Sequence, residues 1–444
     1  MNKLRITIII AILLSYSVTS YAADTVYTIE DAYQAALHTN ELVKIAEEGL
    51  LQSESRVDQA WTYLYPRLVA QSAYTVYNDT LPETLPATGG AYFQPTEQFR
   101  AALILTQPLY TGGRTFAALR AANKMKDAST SGLSIAKQDV LLRVSEAYYG
   151  VLKAQRSVII SQQSLERMDR SRKVTERVAA TRGTKANHSA LLRVNMLVSQ
   201  AKINLIRAQD GIRVTKDKLS LFTKLPPDAV LGDPRPPDQQ TASLDDLKAL
   251  ALKNRDDFAA SNQNKSIAAE YVTIVKGAHY PQLYAEAGLQ YLSSQPNTPM
   301  DATTYYGGLR LQIPLFEGGL MKAEVSEARS KVRQAEFSSD FLRKSIESDV
   351  LEAYMGLQTV SSVLEAAQLQ MEYARDNFTA VEGLYSEGLV SSLSLIDAEQ
   401  ALSMSERELM NATYDQQLAI LKLQKSTGTL GKPELTNEGS HASS

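Results

Sequence analysis

Histidine, cysteine and clustered carboxylates are where chemistry would start, and this chain offers little of it. Its 444 residues hold four histidines, His38, His188, His279 and His441, widely scattered, and no cysteine. No histidine pair stands at metal-ligand spacing, and thiolate chemistry and disulfides are excluded. No phosphate-cradling glycine loop or activated nucleophile is present either. This inventory points away from an enzyme, and no cofactor or metal is expected. A net charge of −3 gives no global reason to expect nucleic acid. The residues with the clearest positional logic act through the backbone. Gln107-Pro108-Leu109-Tyr110-Thr111-Gly112-Gly113 recurs as Ile313-Pro314-Leu315-Phe316-Glu317-Gly318-Gly319. Proline ends or interrupts a strand ladder, and paired glycines let the chain turn sharply out of it.

The elements around each copy say what the turn joins. Period-two patterning precedes it and helical patterning follows, so strand becomes helix at Pro108, Gly112 and Gly113, and again at Pro314, Gly318 and Gly319. The spacing extends beyond the turn. Tyr65-Pro66 recurs as Tyr280-Pro281, and Glu146-Ala147-Tyr148 as Glu352-Ala353-Tyr354. The order and near-constant offset of such marks indicate an internal two-fold sequence repeat. We place a secretory signal at 1–22, from Lys3 and Arg5, the apolar run Ile6 to Leu14 and the small residues ending at Ala22. The first repeat then covers 23–230, the second 231–428, and a polar tail 429–444.

Each repeat reads helix, strand, strand, long helix, turn, helix. The first helix starts at the N-cap Thr28 and runs to about Trp61; its twin starts at Ser243 and stops before Pro281. Strands are expected over 67–78 and 97–107, then 282–292 and 304–313. In the third, Leu283, Ala285, Ala287, Leu289 and Tyr291 share one face, against Gln282, Glu286 and Gln290. Strands of about ten residues with one apolar and one polar face suit a membrane barrel, although a soluble sheet with one wet face would alternate too. Trp61, Tyr65, Tyr110, Tyr280 and Phe316 flank the strands at one end, as a membrane-interface belt would, or as core aromatics beside helix ends would. Polar loops at roughly 79–96 and 293–303 close the other end.

Long helical hairpins follow at 114–222 and 320–425. At 1.5 Å per residue, a proline-free run from Arg114 to about Ala180 reaches about 100 Å. Leu133, Ala136, Val140, Val144, Ala147, Val151, Ala154 and Val158 match Ser339, Leu342, Ile346, Val350, Ala353, Leu357, Val360 and Leu364 in phase. That sustained 3,4 spacing indicates coiled-coil-like packing. Four strands cannot close a lumen by themselves, since about eight are needed, and open edges are prohibitive in lipid. Three copies supply twelve and leave room for a channel.

The signal segment, the duplication, the Tyr-Pro and Pro-Leu-aromatic-x-Gly-Gly turns and the long hairpins together resemble the TolC-like outer-membrane efflux protein family, over about 28 to 428. The resemblance implies a mixed α and β membrane protein in the bacterial outer membrane. It implies a trimeric 12-stranded transmembrane β-barrel, four strands per chain, continued by a long α-helical coiled-coil barrel in the periplasm. The partners implied are two further copies, a periplasmic adaptor protein, an inner-membrane transporter and outer-membrane lipid. The implied function is a passive exit duct for a tripartite efflux pump or type I secretion. A structural coiled coil or adhesin-like envelope protein is the alternative, but it would not need alternating strands.

The resemblance also assigns sites. Gly183, Thr184, Gly388, Leu389 and Val390 correspond to adaptor-docking hairpin tips. Acidic residues near the second tip line the periplasmic gate in that family. Here Asp397 stands nine positions after Gly388, while Ser394 and Ser189 occupy positions where an acid would make a second ring. Arg182 and Glu387 are candidates for tip ion pairs. An exposed helix-surface carboxylate is the plain alternative for Asp397. A ring of three would be strongly coupled and could bind cations.

Overall fold

The computed structural model describes residues 26–78, 95–182, 185–226, 229–234, 236, 242–295 and 301–432. The expected signal segment, most of the first polar loop, Gly183, Thr184 and most of the tail lie outside these. Two compact units divide the chain, one from Met1–Asn40, Asp139–Thr241 and Tyr354–Leu423, the other from Glu41–Gln138, Ala242–Ala353 and Gln424–Ser444.

The first unit contains α1 (Ile29–Thr39), parts of the long helices α3 (Arg114–Arg182) and α7 (Leu320–Ser386), the helix α4 (Lys185–Thr223) and most of α8 (Ser392–Ser426). Thr28 caps α1: its hydroxyl accepts from the Asp31 N–H while the Asp31 carboxylate accepts from the Thr28 N–H. The Thr28 N–H and, secondly, the Thr28 hydroxyl donate to the Asp31 carboxylate and hold it below its usual range. Ile29, Ala32 and Ala36, at helical spacing, form the buried face. Two short strands, β1 (Val26–Tyr27) and β4 (Val230–Leu231), pair in parallel. Nothing in their sequence signals this. The connector they tie down contains prolines and reads only as a linker. The fully buried Tyr148 holds the pair by donating to both Gly232 O at 2.6 Å and Tyr27 O at 2.9 Å. Burial drives the Tyr148 phenol well above its usual pKa. Tyr33, bonded to Ser145 at 2.6 Å, is pushed up to about 12 for the same reason.

The second unit carries α2 (Glu41–Thr62), β2 (Arg67–Val76), β3 (Glu97–Tyr110), α5 (Leu244–Asn254), α6 (Asp256–Ala278), β5 (Gln282–Gln295) and β6 (Ala302–Gln312), with the N-terminal parts of α3 and α7. The strands form one antiparallel sheet in the order β2-β3-β5-β6. Register aligns the apolar positions across all four. Leu105 faces Ala287, Leu103 faces Leu289 and Ala101 faces Tyr291, while Leu309 faces Ala285 and Leu311 faces Leu283. The ambiguous β2 falls into line, with Leu68 opposite Leu105 and Ala70 opposite Leu103. On the other face Arg310 pairs with Glu286 at 2.6 Å and lies over the Tyr284 ring. A side chain at Gly288 would strike the Tyr306 ring, so that glycine makes room for the tyrosine.

Three expectations are corrected. The single helix expected from Thr28 to about Trp61 is two helices, because Asn40 adopts an extended backbone and its buried amide donates to Phe222 O at 3.2 Å. The twin breaks likewise at Arg255, whose guanidinium holds Asp257 at 2.6 Å and Asp349 at 2.9 Å. Third, β3 does not end at Pro108 but runs through it to Tyr110. A register shift between Pro108 and Tyr110 accommodates the missing proline N–H. The long helices keep the expected stripe, for none of the positions from Leu133 to Val158 or Ser339 to Leu364 named above is exposed. Among the described residues no helix is long and apolar enough to cross a membrane.

Candidate functional site

Two places carry the residues singled out from sequence: the strand-to-helix junctions and the second hairpin turn. At the first junction Gly112 and Gly113 both have positive φ, +66° and +81°. Such angles cost side-chain-bearing residues energy. Thr111 Oγ1 meets Thr115 Oγ1 at 2.7 Å, and the Ala117 N–H donates to Gly113 O at 3.0 Å, starting α3. Gly112 lies against the end of α6: a Cβ on it would come within 2.3 Å of Gly277 O and 2.8 Å of Tyr280 Cβ. Gly277 is equally confined, its Cβ meeting Gly112 O at 2.8 Å. The fold thus brings Gly112 to Tyr280, and adds Gly277, which sequence reading missed because a lone glycine in a helix gives no sign of a partner.

At the second junction Gly318 and Gly319 also have positive φ, +61° and +93°, but a Cβ on either meets nothing. Pro314 lies just beyond β6. This junction is held through side chains. His279 Nδ1 lies 3.0 Å from Glu317 and Nε2 3.0 Å from Glu324. A doubly protonated imidazole would donate to both carboxylates, a neutral one to a single carboxylate. His279 appeared in the sequence only as one of four scattered histidines. Trp61, Tyr65, Tyr110 and Tyr280 are about half exposed, and Phe316 is 88% exposed beside Leu315 at 91%.

The second hairpin turn is a compact cap. Gly388, at φ +77°, donates to Tyr385 O at 3.0 Å, and the Leu389 N–H donates to Leu384 O at 2.9 Å. This double reverse bond ends α7 at a left-handed glycine. Ser391 then caps α8 by accepting from the Ser394 N–H at 3.3 Å. Glu387 and Leu389 are exposed, Val390 and Ser394 partly buried. Behind the turn, Leu395, Ala398 and Leu402 of α8 pack on Met371, Ala374 and Phe378 of α7. Asp397 therefore falls on the exposed face of α8. On the first hairpin, Arg182 ends α3, Gly183 and Thr184 lie outside the described residues, and Ser189 is exposed on α4. Among the described residues no hydrogen bond joins Ser189 to Ser394 or Asp397.

A buried ion-pair group lies further along the second hairpin. Arg167 of α3 is buried between Glu399, 3.3 Å from its Nε, and Glu406, 2.9 Å from its Nη2. Ser164 donates to Glu399 at 2.7 Å, and the guanidinium stands 5.9 Å from the Phe378 ring centre. The two glutamates are seven residues apart, hence on one helix face, and that spacing was the available signal.

A sheet with one continuous apolar face is thus joined through glycine turns to long helical hairpins. The family model described as "Outer membrane efflux protein" matches residues 32–221 and 247–429. The chain belongs to that family, and its place is the bacterial outer membrane. Among curated relatives it is 24% identical over 359 residues to the alkaline protease secretion protein AprF of Pseudomonas aeruginosa, covering 76% of this chain and 71% of that protein. It is 22% identical over 349 residues to the outer membrane protein TolC of Vibrio cholerae, covering 76% and 78%. The CmeC outer membrane channel of Campylobacter jejuni superposes with a TM-score of 0.78 at 14% identity, over 90% of this chain and 85% of that one. VceC of Vibrio cholerae gives 0.75 at 17%, over 90% and 96%. At such identities these likenesses show the fold.

Proposed function

We propose that this protein is the outer-membrane exit duct of a tripartite efflux pump or type I secretion system. It conducts cargo passively from a periplasmic adaptor and inner-membrane transporter to the exterior. The carrying observation is the sheet. Its four strands have an apolar face in continuous register, and β2 and β6 are free edges among the described residues. In lipid those edges must pair. Three copies joined β6 to β2 make a closed twelve-stranded barrel, with the apolar face outward and the Arg310–Glu286 face toward water. The internal repeat then gives the trimer six strand-to-helix junctions, with their aromatics at the membrane surface. Both senses of transport occur among the relatives' names: AprF is a secretion protein, and CusC of Escherichia coli a cation efflux system protein.

In this reading the hairpin turns Gly183-Thr184 and Gly388-Leu389-Val390 receive the adaptor, for which exposed Leu389 offers an apolar contact. Asp397, unpaired among the described residues, supplies one carboxylate per copy to a ring at the gate. Ser394 and Ser189 leave that ring single, and Arg182 and Glu387 are tip ion-pair members. The absence of cysteine allows a clean test. A chain carrying one cysteine on β2 and one on β6 should cross-link between copies on mild oxidation, giving covalent dimers and trimers in detergent, while either cysteine alone should not give trimers. A protein that purifies as a monomer without detergent would refute the barrel.

A further inference from the structure

Two open cavities of similar size lie in different parts of the chain, and their charges differ in kind. One, of about 620 Å³, is lined by Arg156 and Arg375 but also by Asp233 and Glu406, so it balances itself. The other, of about 640 Å³, lies between the end of α6 and the start of α7 and is lined by Lys276, Lys322, Arg329 and Arg333 with no carboxylate. None of these four cations makes an ion pair among the described residues; Arg333 donates only to Ser330 Oγ, at 2.8 Å. The nearby acids already have partners: Glu317 and Glu324 flank His279, which itself lines the cavity, and Glu327 holds Lys331. Lys322 sits in the first turn of α7, which has no acidic residue. A cation there opposes the positive end of the helix dipole, and an anion in the cavity would relieve both. The remaining wall is mixed: Met321, Val325 and half-exposed Tyr280 give it an apolar side, and His279 and Ser326 complete it.

We propose that this cavity binds the phosphate headgroup of an anionic phospholipid from the leaflet bordering the helical ends of the strands. The site rests on the membrane-barrel reading. Lys276 and Tyr280 immediately precede β5, and exposed Leu315 and Phe316 follow β6, so the cavity stands where strand gives way to helix. A headgroup phosphate answers the unpaired cations, and the start of the acyl chains answers Met321 and Val325. A free inorganic anion would use only the first of these.

Native mass spectrometry of the full chain in detergent, titrated with phosphatidylglycerol, phosphatidylcholine or inorganic phosphate, tests this. Phosphatidylglycerol should bind at lower concentration than phosphatidylcholine. Each cation near a membrane surface contributes about five-fold, so Arg329→Gln/Arg333→Gln should weaken phosphatidylglycerol by about twenty-five-fold. Phosphatidylcholine binding should hardly move, and Arg329→Lys/Arg333→Lys should restore most of the preference. Equal binding of the two lipids, or a preference that survives the glutamine substitutions, would overturn the site. Inorganic phosphate binding as tightly as phosphatidylglycerol would overturn the lipid as its source. Bilayer conductance of the same sample separates the two proposals. A sample that conducts without the lipid preference refutes the headgroup site alone; one with the preference but no conductance refutes the duct alone.

Discussion

The two strand-to-helix junctions share a sequence pattern and a backbone conformation, yet they are held in different ways. All four glycines take positive φ. At the first junction, Gly112 and Gly277 press backbone against backbone, leaving no room for a methyl group. At the second, Gly318 stands in open space, and the chain is held by His279 reaching Glu317 and Glu324. The repeated motif encodes the turn itself. What locks it is encoded elsewhere, in a helix glycine for one copy and a histidine for the other.

Substitutions that tell these locks apart should rank accordingly. Gly112→Val adds a steric clash with backbone to an unfavourable φ and should cost about 3 kcal/mol or more, lowering trimer yield and thermal midpoint together. Gly277→Ala clashes from the other side, without the φ penalty, and should cost about 2 kcal/mol in the same melting assay. Gly318→Ala meets no neighbour and should lose only the left-handed penalty, about 1 to 2 kcal/mol. A Gly318→Ala loss as large as that of Gly112→Val would erase the contrast. His279→Gln, which keeps at most part of the tether, should cost about 1 kcal/mol by itself. In a double mutant with Gly112→Val the two effects should not simply add, since His279 sits between Gly277 and Tyr280, the two contacts of Gly112.

The features that the sequence reveals by itself follow the same division. Local signals were legible: the Thr28 cap, the strand alternation from Gln282 onward, the glycine pairs, the long 3,4 stripe. Features that depend on a distant partner were not. Asn40, at the helix break, is held by Phe222 O far along the chain, and the short strand at Val26–Tyr27 pairs with Val230–Leu231. The candidate site shows this most sharply. Asp397 and Glu399 are two residues apart on α8 and chemically alike, yet one is exposed and the other buried against Arg167. Helical phase separates the two faces, but which carboxylate meets a guanidinium depends on α3, more than two hundred residues earlier in the chain.

Copies of this chain should enclose a water-filled passage. Conductance of the purified protein in planar bilayers tests it most directly. Discrete openings are expected, blocked by multivalent cations from the side that the hairpin turns face, with the block relieved in Asp397→Ala. Silent bilayers, even with the hairpin turns loosened by Gly388→Ala and Leu389→Ser, would contradict such a passage.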